Sequence, residues 1–411
     1  MAGGRLTRRT TRRGLLAGVG AAGLGLALGP ANAAASAAAL EDGAVAFYGR
    51  HQAGIATTTP EHVHFLALDV VSDARSDLSA LMAELSAAAA RLAAGQPVGA
   101  LQTGAAPPVD TGEAVGLGPA RLTVTFGLGP GVFAPRRFGL SKRRPAPLVD
   151  LPAFATDALQ ASICGGDIAV QACAEDPQVA FHAVHELVRL ASPTAVPRWS
   201  LAGFGRALNH RPAATPRNLL GFKEGTGNVM NGDAAALDQF VWAAPPESPQ
   251  WMAGGSYMVV RRIVTRLASW DSIPLAQQEA TFGRHKLSGA PLGASDEFAP
   301  LDLSAVGDDG QPLIPPDAHV RLASPPYNRG ERLLRRGYSY TEGIDRAGET
   351  VQAGQLFICF GRDPRRQFIP IQNRLAAADA LNQHVSHVGS AIFACPPGAA
   401  PGGFVAERLL S

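Results

Sequence analysis

The two halves of the chain repeat one order of strand-like and helical segments, and this repeat constrains the fold most. Apolar runs rich in β-branched residues indicate strands, and apolar residues at helical spacing indicate helices. In the first half the segments are strand Val63–Val70, helix Asp77–Ala94, strands Leu122–Phe126 and Asp167–Ala172, and helix Pro177–Ala191. In the second half they are strand Gly255–Ile263, helix Ser272–Phe282, strand Gln355–Phe360, a helix within Phe368–His387, and strand Ser390–Ala394. The pattern predicts an α+β fold.

The length favours two modules of this kind. The chain has 411 residues, of which 46 % are hydrophobic and 17 % are charged, so it can bury a sizeable core. Prolines at 197, 212 and 216 mark residues 196–220 as the join between the halves. We therefore expect modules at residues 40–210 and 211–411.

Residues 1–33 have the composition of a twin-arginine signal peptide. Arg12 and Arg13 precede a Gly/Ala-rich apolar run, Gly14–Leu28, and Ala31-Asn32-Ala33 is a cleavage pattern. The apolar run is short compared with the roughly 20 residues that span a bilayer. We expect export to the periplasm, cell surface or medium, with no integral membrane segment after cleavage; retention through an uncleaved leader is the alternative.

Charge and cysteine content exclude several classes of function. The formal net charge of +2 becomes −3 when the five leader arginines are removed, so nothing indicates a nucleic-acid partner. Cysteines 164, 173, 359 and 395 lack the spacing of metal ligands. We expect four buried free thiols, with a Cys164–Cys173 disulfide as the less favoured alternative.

A glycine-rich segment, Gly221–Asn228, reads GFKEGTGN and carries a single carboxylate, Glu224. Glycines at this density exclude a regular helix or strand, so the segment is predicted to be a tight loop. Such a loop can hold a carboxylate over a binding site; a surface turn with a solvated glutamate is the alternative.

This segment, with AHVRLASP at 318–325 and LLRRGYSY at 333–340, resembles the dye-decolourising (DyP-type) haem peroxidases, particularly their exported deferrochelatase/peroxidase-like branch. Further similar segments lie at 48–65, 127–133, 279–293 and 361–398, so the resemblance covers nearly all of the chain after the leader. It implies two ferredoxin-like modules with antiparallel sheets and peripheral helices, of the dimeric α/β-barrel type. It also implies one haem b per chain, held mainly by the second module.

The implied activity is the oxidation of organic donors such as phenols and dyes by hydrogen peroxide, through the haem intermediate compound I. The resemblance also makes self-association plausible. Two rival functions stay open: release of iron from haem with the porphyrin left intact, and a non-enzymatic role in haem binding or delivery.

The resemblance assigns the haem-iron ligand to His319, with His387 as the competitor. A ligating histidine passes its other N–H to an acceptor, for which Asp379 is the candidate. The alternative for Asp379 is a solvated helix carboxylate.

On the opposite side of the haem, the resemblance assigns Arg335 and Glu224 to catalysis. Arg336 is the alternative to Arg335, because neighbouring residues of a strand point to opposite faces. Glu224 stands where the family motif GxxDG has aspartate, which changes the reach of the carboxylate by one methylene. Gly221 and Gly225 match the motif and are expected to shape the haem-side loop.

Other side chains have weaker assignments. Arg206, Lys223 and Arg321 are candidate partners for the haem propionates, or else surface cations. Four aromatic residues could relay electrons to large substrates or could simply be core residues: Trp251, Trp270, Tyr338 and Tyr340.

Overall fold

The structure is a computed structural model, and it describes residues 43–102, 104–205, 215–345 and 350–411. The predicted leader and Arg206 lie outside these residues. In the described parts, no helix combines the length and the apolar character needed to cross a membrane.

Nine strands and eight α-helices alternate along the described chain. The strands are β1 His62–Val70, β2 Thr123–Leu128, β3 Ile168–Ala174, β4 Ala195–Phe204, β5 Ser256–Thr265, β6 Leu334–Arg335, β7 Tyr338–Asp345, β8 Thr350–Gly361 and β9 Val385–Cys395. The helices are α1 Arg75–Ala93, α2 Pro177–Ala191, α3 Ala234–Phe240, α4 Leu267–Asp271, α5 Leu275–Phe282, α6 His319–Ala323, α7 Phe368–Ala378 and α8 Glu407–Leu410.

The strands form one antiparallel sheet that closes on itself. Its order is β5-β9-β2-β3-β1-β4-β7-β8-β6, and β5 also pairs with β8 along its other edge. The closed sheet is a ring of strands. Going round it from β5, one passes β9 of the second half, then β2, β3, β1 and β4 of the first half, and returns through β7 and β8 of the second half. The short strand β6 pairs with β8 beside β7. The predicted α+β class with antiparallel sheets is confirmed.

Two hydrophobic layers follow from the alternation of side chains across each strand. One cluster joins the inner faces of eight strands, all except β2, and includes Phe65, Trp199, Tyr338 and Phe393. The other packs α1 and α2 onto the outer face of the first-half strands. Strand β3 is buried throughout because both layers cover it. The second cluster also covers one end of the outer faces of β5 and β8, through Tyr257, Val259 and Cys359. Toward the other end of these strands, Ile263 and Gln355 line a cavity.

Several sequence predictions need correction. The expected join contains β4, which tolerates Pro197 because the pairing with β1 shifts register next to it, a bulge that relieves the missing N–H. The helix predicted over Ser272–Phe282 is α5, which begins only at Leu275 because Pro274 precedes its first turn, and the separate short helix α4 before it was not predicted. Cys164 is partly exposed rather than buried, although all four cysteines are free as predicted.

Candidate active site

A cavity lies on the outer face of β5 and β8, closed by the Asn218–Gly227 loop, α6 and α7. It brings together His319, Asp379, Glu224 and Arg335, which are far apart in the sequence. Much of the wall is apolar, and its apolar side chains include Leu220, Ile263, Phe282, Phe357, Phe368, Ile371 and Leu375. The cavity therefore combines a few polar groups with apolar walls, the usual composition of a cofactor site.

His319 begins α6, and its imidazole is held by a buried carboxylate. Nδ1 lies 2.6 Å from Oδ2 of Asp379, whose Oδ1 accepts a hydrogen bond from Leu381 N at 2.9 Å. Burial disfavours the charged imidazole, but the charge and hydrogen bond of Asp379 outweigh it, so the pKa of His319 is raised. A proton on Nδ1 leaves Nε2 with a free lone pair, and 33 % of the His319 side chain is exposed, at the cavity wall. Asp379 itself is buried, so it is not a solvated helix carboxylate.

The loop that carries Glu224 is shaped by its glycines and by Asn218. Gly221 has φ +84° and Gly225 has φ +122°, values that favour glycine. The Asn218 side-chain oxygen accepts from Leu220 N and Phe222 N at 3.1 and 3.2 Å, which closes the turn. Gly221 belongs to this turn but is not part of the cavity wall, whereas Gly225 lines the cavity.

Glu224 and Arg335 form an ion pair on the cavity wall. Arg335 Nη1 donates to Glu224 Oε1 at 2.9 Å, and Arg335 Nη2 donates to the Thr226 carbonyl at 3.1 Å. Asn228 bonds to the backbone of Arg335 twice, through Nδ2 to its carbonyl and through Oδ1 from its N–H, both at 2.8 Å. The glycine-rich loop and β6 are therefore fastened together, which fixes the acid relative to the cation.

The two adjacent arginines point to opposite sides of the sheet. Arg335 lines the cavity, whereas Arg336 is buried on the inner side, where it donates to the Thr57 carbonyl and lies beside Cys173. Nε and Nη2 of Arg336 have no hydrogen-bond partner among the described residues. Of the two, only Arg335 can act in the cavity.

Glu297 supports the loop and was missed by the sequence analysis. Its carboxylate pairs with Lys223 and accepts hydrogen bonds from Thr226, at 2.9 Å, and from Thr215. It comes from a segment whose sequence shows no motif, so only the fold reveals its role. Lys223 lines the cavity, but its ammonium group is already paired with Glu297.

The structure does not support the prediction that Arg321 contacts the cofactor. Its guanidinium is turned away, with Nε and Nη2 donating to the Ile314 carbonyl at 3.0 and 2.5 Å. Nη1 donates to the Tyr327 hydroxyl at 3.1 Å, and the residue is not part of the cavity wall. Two other arginines, Arg284 and Arg332, do line the cavity.

His387 also lines the cavity, but its environment differs from that of His319. Burial and the positive charge of Arg261 lower the pKa of His387 to about 3, and Arg261 Nε lies 3.3 Å from its Nδ1. No carboxylate is paired with it in the described structure, so it lacks the acceptor that holds His319.

The four candidate relay aromatics are buried core residues.

These residues fit a haem group. His319 offers an unengaged Nε2 at the cavity wall, the apolar side chains suit a porphyrin, and Arg284 and Arg332 are cations of the type that binds carboxylates.

Comparisons with known proteins agree with this fit. The family "Dyp-type peroxidase, N-terminal" matches residues 52–205, and "Dyp-type peroxidase, C-terminal" matches residues 215–400. A dye-decolorizing peroxidase of Thermobifida fusca is 41 % identical, covering 98 % of this chain and 97 % of the relative. A deferrochelatase of Escherichia coli K12 is 36 % identical, covering 86 % of this chain and 84 % of the relative.

Among solved structures, ferric DtpA from Streptomyces lividans superposes with a TM-score of 0.83 at 40 % identity, covering 89 % of this chain and 97 % of that one. Its strand and helix arrangement confirms the ferredoxin-like fold expected from the sequence. The predicted haem cofactor and the enzymatic function are likewise confirmed. The chain therefore belongs to the DyP-type peroxidase family and is a haem-dependent peroxidase.

Proposed function

We propose that His319 is the haem-iron ligand and that Glu224 and Arg335 assist the reaction with hydrogen peroxide. One observation carries the proposal: a carboxylate-held histidine and a carboxylate–guanidinium pair line the same cavity. Arg284 and Arg332 would hold the propionates in place of Arg321, because both line the cavity.

Haem, when bound, supplies the iron at which peroxide is reduced. Nε2 of His319 would bind that iron, while Asp379 accepts the Nδ1 proton and keeps the imidazole oriented and basic. Glu224 would take a proton from the near oxygen of peroxide and return it to the leaving oxygen. Its Oε2 is suited to this, since within the described structure only Oε1 receives the Arg335 hydrogen bond. Arg335 stays cationic and would stabilise negative charge that develops on the oxygens.

The length of Glu224 matters for this role. Its Oε1 accepts from Arg335 Nη1 at 2.9 Å, and the carboxylate of an aspartate at this position would be one methylene shorter. A catalytic group displaced by about 1 Å can lose on the order of 100-fold in rate. We therefore expect the loop to be adapted to glutamate, so that Glu224→Asp slows the reaction.

The remaining expectations from the sequence are part of the proposal. The two family matches meet between residues 205 and 215, which supports modules at 40–210 and 211–411. The twin-arginine pattern supports export through residues 1–33, and the dye-decolorizing relative supports dyes as test donors. Phenols are proposed as donors on the family resemblance alone. Self-association is proposed on the family resemblance alone.

The decisive experiment is rapid mixing of the haem-loaded protein with hydrogen peroxide. Glu224→Gln removes the proton carrier but keeps the shape, so the second-order rate constant should fall by about 10²- to 10³-fold while the resting spectrum stays unchanged. Glu342→Gln is the control, because Glu342 pairs with Arg262 away from the cavity wall. An unchanged rate in Glu224→Gln would exclude Glu224 as the proton carrier.

A second candidate activity is release of iron from haem, which the 36 % identical deferrochelatase favours. Incubation with haem in the absence of peroxide should then yield intact metal-free porphyrin. Recovery of porphyrin, together with a faster peroxide reaction in Glu224→Asp, would mean that the natural protein is adapted to iron release. Peroxide turnover without any porphyrin product would exclude this activity.

A further inference from the structure

A second group of potential metal ligands lies in the first half of the chain, outside the cavity. Asp110, His182 and Glu186 each offer one ligand atom, and these atoms all lie within 4.8 Å of one another. The three residues are 1 %, 3 % and 0 % exposed. His182 and Glu186 are one helical turn apart on α2, and Asp110 approaches them from the loop that follows α1.

The orientation of His182 leaves a lone pair facing a carboxylate. Its Nδ1 lies 2.7 Å from Oε2 of Glu113, so the proton of the neutral imidazole belongs on Nδ1. Its Nε2 lies 3.5 Å from Oδ2 of Asp110, too far for a good hydrogen bond. Two ligands of one tetrahedral Zn²⁺, with bonds of about 2.1 Å, would be about 3.4 Å apart. The gap between Nε2 and Oδ2 has the width of a shared cation.

The charges of the cluster also call for a cation. Three carboxylates converge here, those of Asp110, Glu113 and Glu186. Among the described residues, the arginine that pairs with them is Arg189, whose Nη1 donates to both Glu186 oxygens at 2.9 Å. With neutral histidines the group carries a net charge of −2. Backbone N–H groups of Val98, Gly112 and Thr111 donate to Asp110 and Glu186 at 2.8 Å, which lowers the cost of burial but leaves the charge unbalanced. Either one divalent ion or protonation of both His182 and His185 would balance it.

The residues that contact the three proposed ligands are also arranged as they are around metal sites in proteins. A metal-ligating histidine passes its other N–H to a carboxylate, and Glu113 fills that position for His182. Glu113 in turn contacts His185 Nδ1 at 2.8 Å. The side chains of Glu113 and His185 are 27 % and 38 % exposed, so the cluster borders on solvent and an ion has a route to it.

We propose that Asp110, His182 and Glu186 bind one divalent transition-metal ion of the Zn²⁺ type, with water as a further ligand. One imidazole and two carboxylates suit Zn²⁺ or a similar first-row ion, whereas Mg²⁺ and Ca²⁺ prefer oxygen ligands alone. The ion would fasten the Asp110 loop to α2 and would stabilise the first half without taking part in the haem reaction.

The test uses untagged, haem-loaded protein that has been treated with EDTA, which strips a surface-accessible ion. After equilibrium dialysis against micromolar ZnCl₂ at neutral pH, zinc and iron are counted by mass spectrometry. We expect one zinc per haem iron in the wild type. Saturating zinc should raise the melting temperature by about 3 °C at a hundredfold excess over Kd.

Asp110→Asn and His182→Gln remove one ligand each with little change in shape. Both should lose zinc affinity by more than tenfold while the haem spectrum reports that the protein is folded. His285→Gln is the matched control, because His285 also pairs with a carboxylate, that of Glu279, but has no third ligand nearby in the described structure. It should keep the full zinc content.

Two results would overturn the proposal. If the wild type takes up no zinc and its melting temperature is the same with EDTA and with zinc, the cluster is a proton-bridged network. If both ligand variants and the control retain equal zinc, the ion binds elsewhere. The wild-type comparison decides whether zinc binds, and if one ligand variant fails to fold the other still decides whether it binds at this cluster.

Discussion

The two halves of the molecule each contain a histidine held by a carboxylate, and the pairs differ in what the second ring nitrogen faces. In the second half, His319 Nδ1 lies 2.6 Å from Asp379 and Nε2 is left for the cavity. In the first half, His182 Nδ1 lies 2.7 Å from Glu113, and Nε2 faces Asp110 at 3.5 Å. One nitrogen has room for a large planar group and the other has room for a single ion.

The supporting elements explain this difference. His182 lies within a 15-residue helix that packs closely on the sheet, and only 4 % of its side chain is exposed. His319 begins a five-residue helix beside an open wall, and 33 % of its side chain is exposed. The same histidine–carboxylate device can therefore serve different ligands, because the surrounding packing sets the space.

The largest effect is expected from removing each imidazole, which tests whether the two histidines have the different ligands proposed. His319→Ala should lose the spectrum of histidine-ligated ferric haem. Its peroxidase activity should fall by more than the roughly 100-fold that is typical for loss of a carboxylate hydrogen-bonded to a metal ligand. His182→Ala should keep both the haem spectrum and the peroxidase activity. Absorption spectra and donor turnover measure this, and a retained iron–histidine spectrum in His319→Ala would move the ligand assignment to His387.

A smaller effect should separate the two adjacent arginines. Arg335→Leu removes the cation that faces the cavity and should slow the peroxide reaction by about 10²-fold. Arg336→Leu should leave that rate nearly unchanged and act on stability instead, because Arg336 is buried and only partly hydrogen-bonded. Stopped-flow rates and melting temperatures of both variants distinguish the roles; equal losses of rate would contradict them.

Asp379→Asn should have an intermediate effect. The amide removes the negative charge that makes the His319 imidazole basic, and losses of 10- to 100-fold are typical for such partners. The haem reduction potential should rise, because a less basic ligand stabilises the ferric state less. Spectroelectrochemistry measures the potential, and an unchanged potential and rate would show that Asp379 only positions the ring.

The smallest effect is expected on replacing His64, which completes the comparison as a histidine that has no carboxylate partner in the described structure. Burial lowers its pKa from the usual 6.5, so the folded state favours the neutral ring. Below about pH 6.5 the unfolded chain binds the proton more readily, and stability falls as the pH falls through this range. His64→Phe should flatten the slope of urea stability between neutral and mildly acidic pH, and an unaltered slope would exclude His64 as a contributor.

Local signals in the sequence predicted part of this structure well. The limits of α2 were predicted at about Pro177 and Ala191 from the helical spacing of apolar residues. The structure has these limits, and there a proline begins the helix and the side chain of Asp176 caps it, accepting from Gln178 N at 2.7 Å. The loop around Glu224 was evident from its glycines. Such features are encoded by neighbours in the chain.

Contacts between distant segments could not be predicted in this way. Glu297 and Asn228 fix the Glu224 loop through partners that no sequence period connects to it. Asp110 meets His182 only after the loop following α1 folds over α2. Whether Arg335 or Arg336 faced the cavity depended on the register of β6 against β8, which the structure supplies.

The closure of the ring also bears on how the chain is made. Strand β9, residues Val385–Cys395, lies between β5 and β2 and joins the two halves there. A ribosome must therefore synthesise almost the whole protein before the ring can close, and until then β2 and β5 each have an unpaired edge. Unpaired edges invite pairing between chains. A nascent or prematurely terminated product that ends before residue 385 would thus be an aggregation-prone species that requires chaperone protection, however complete its first half is.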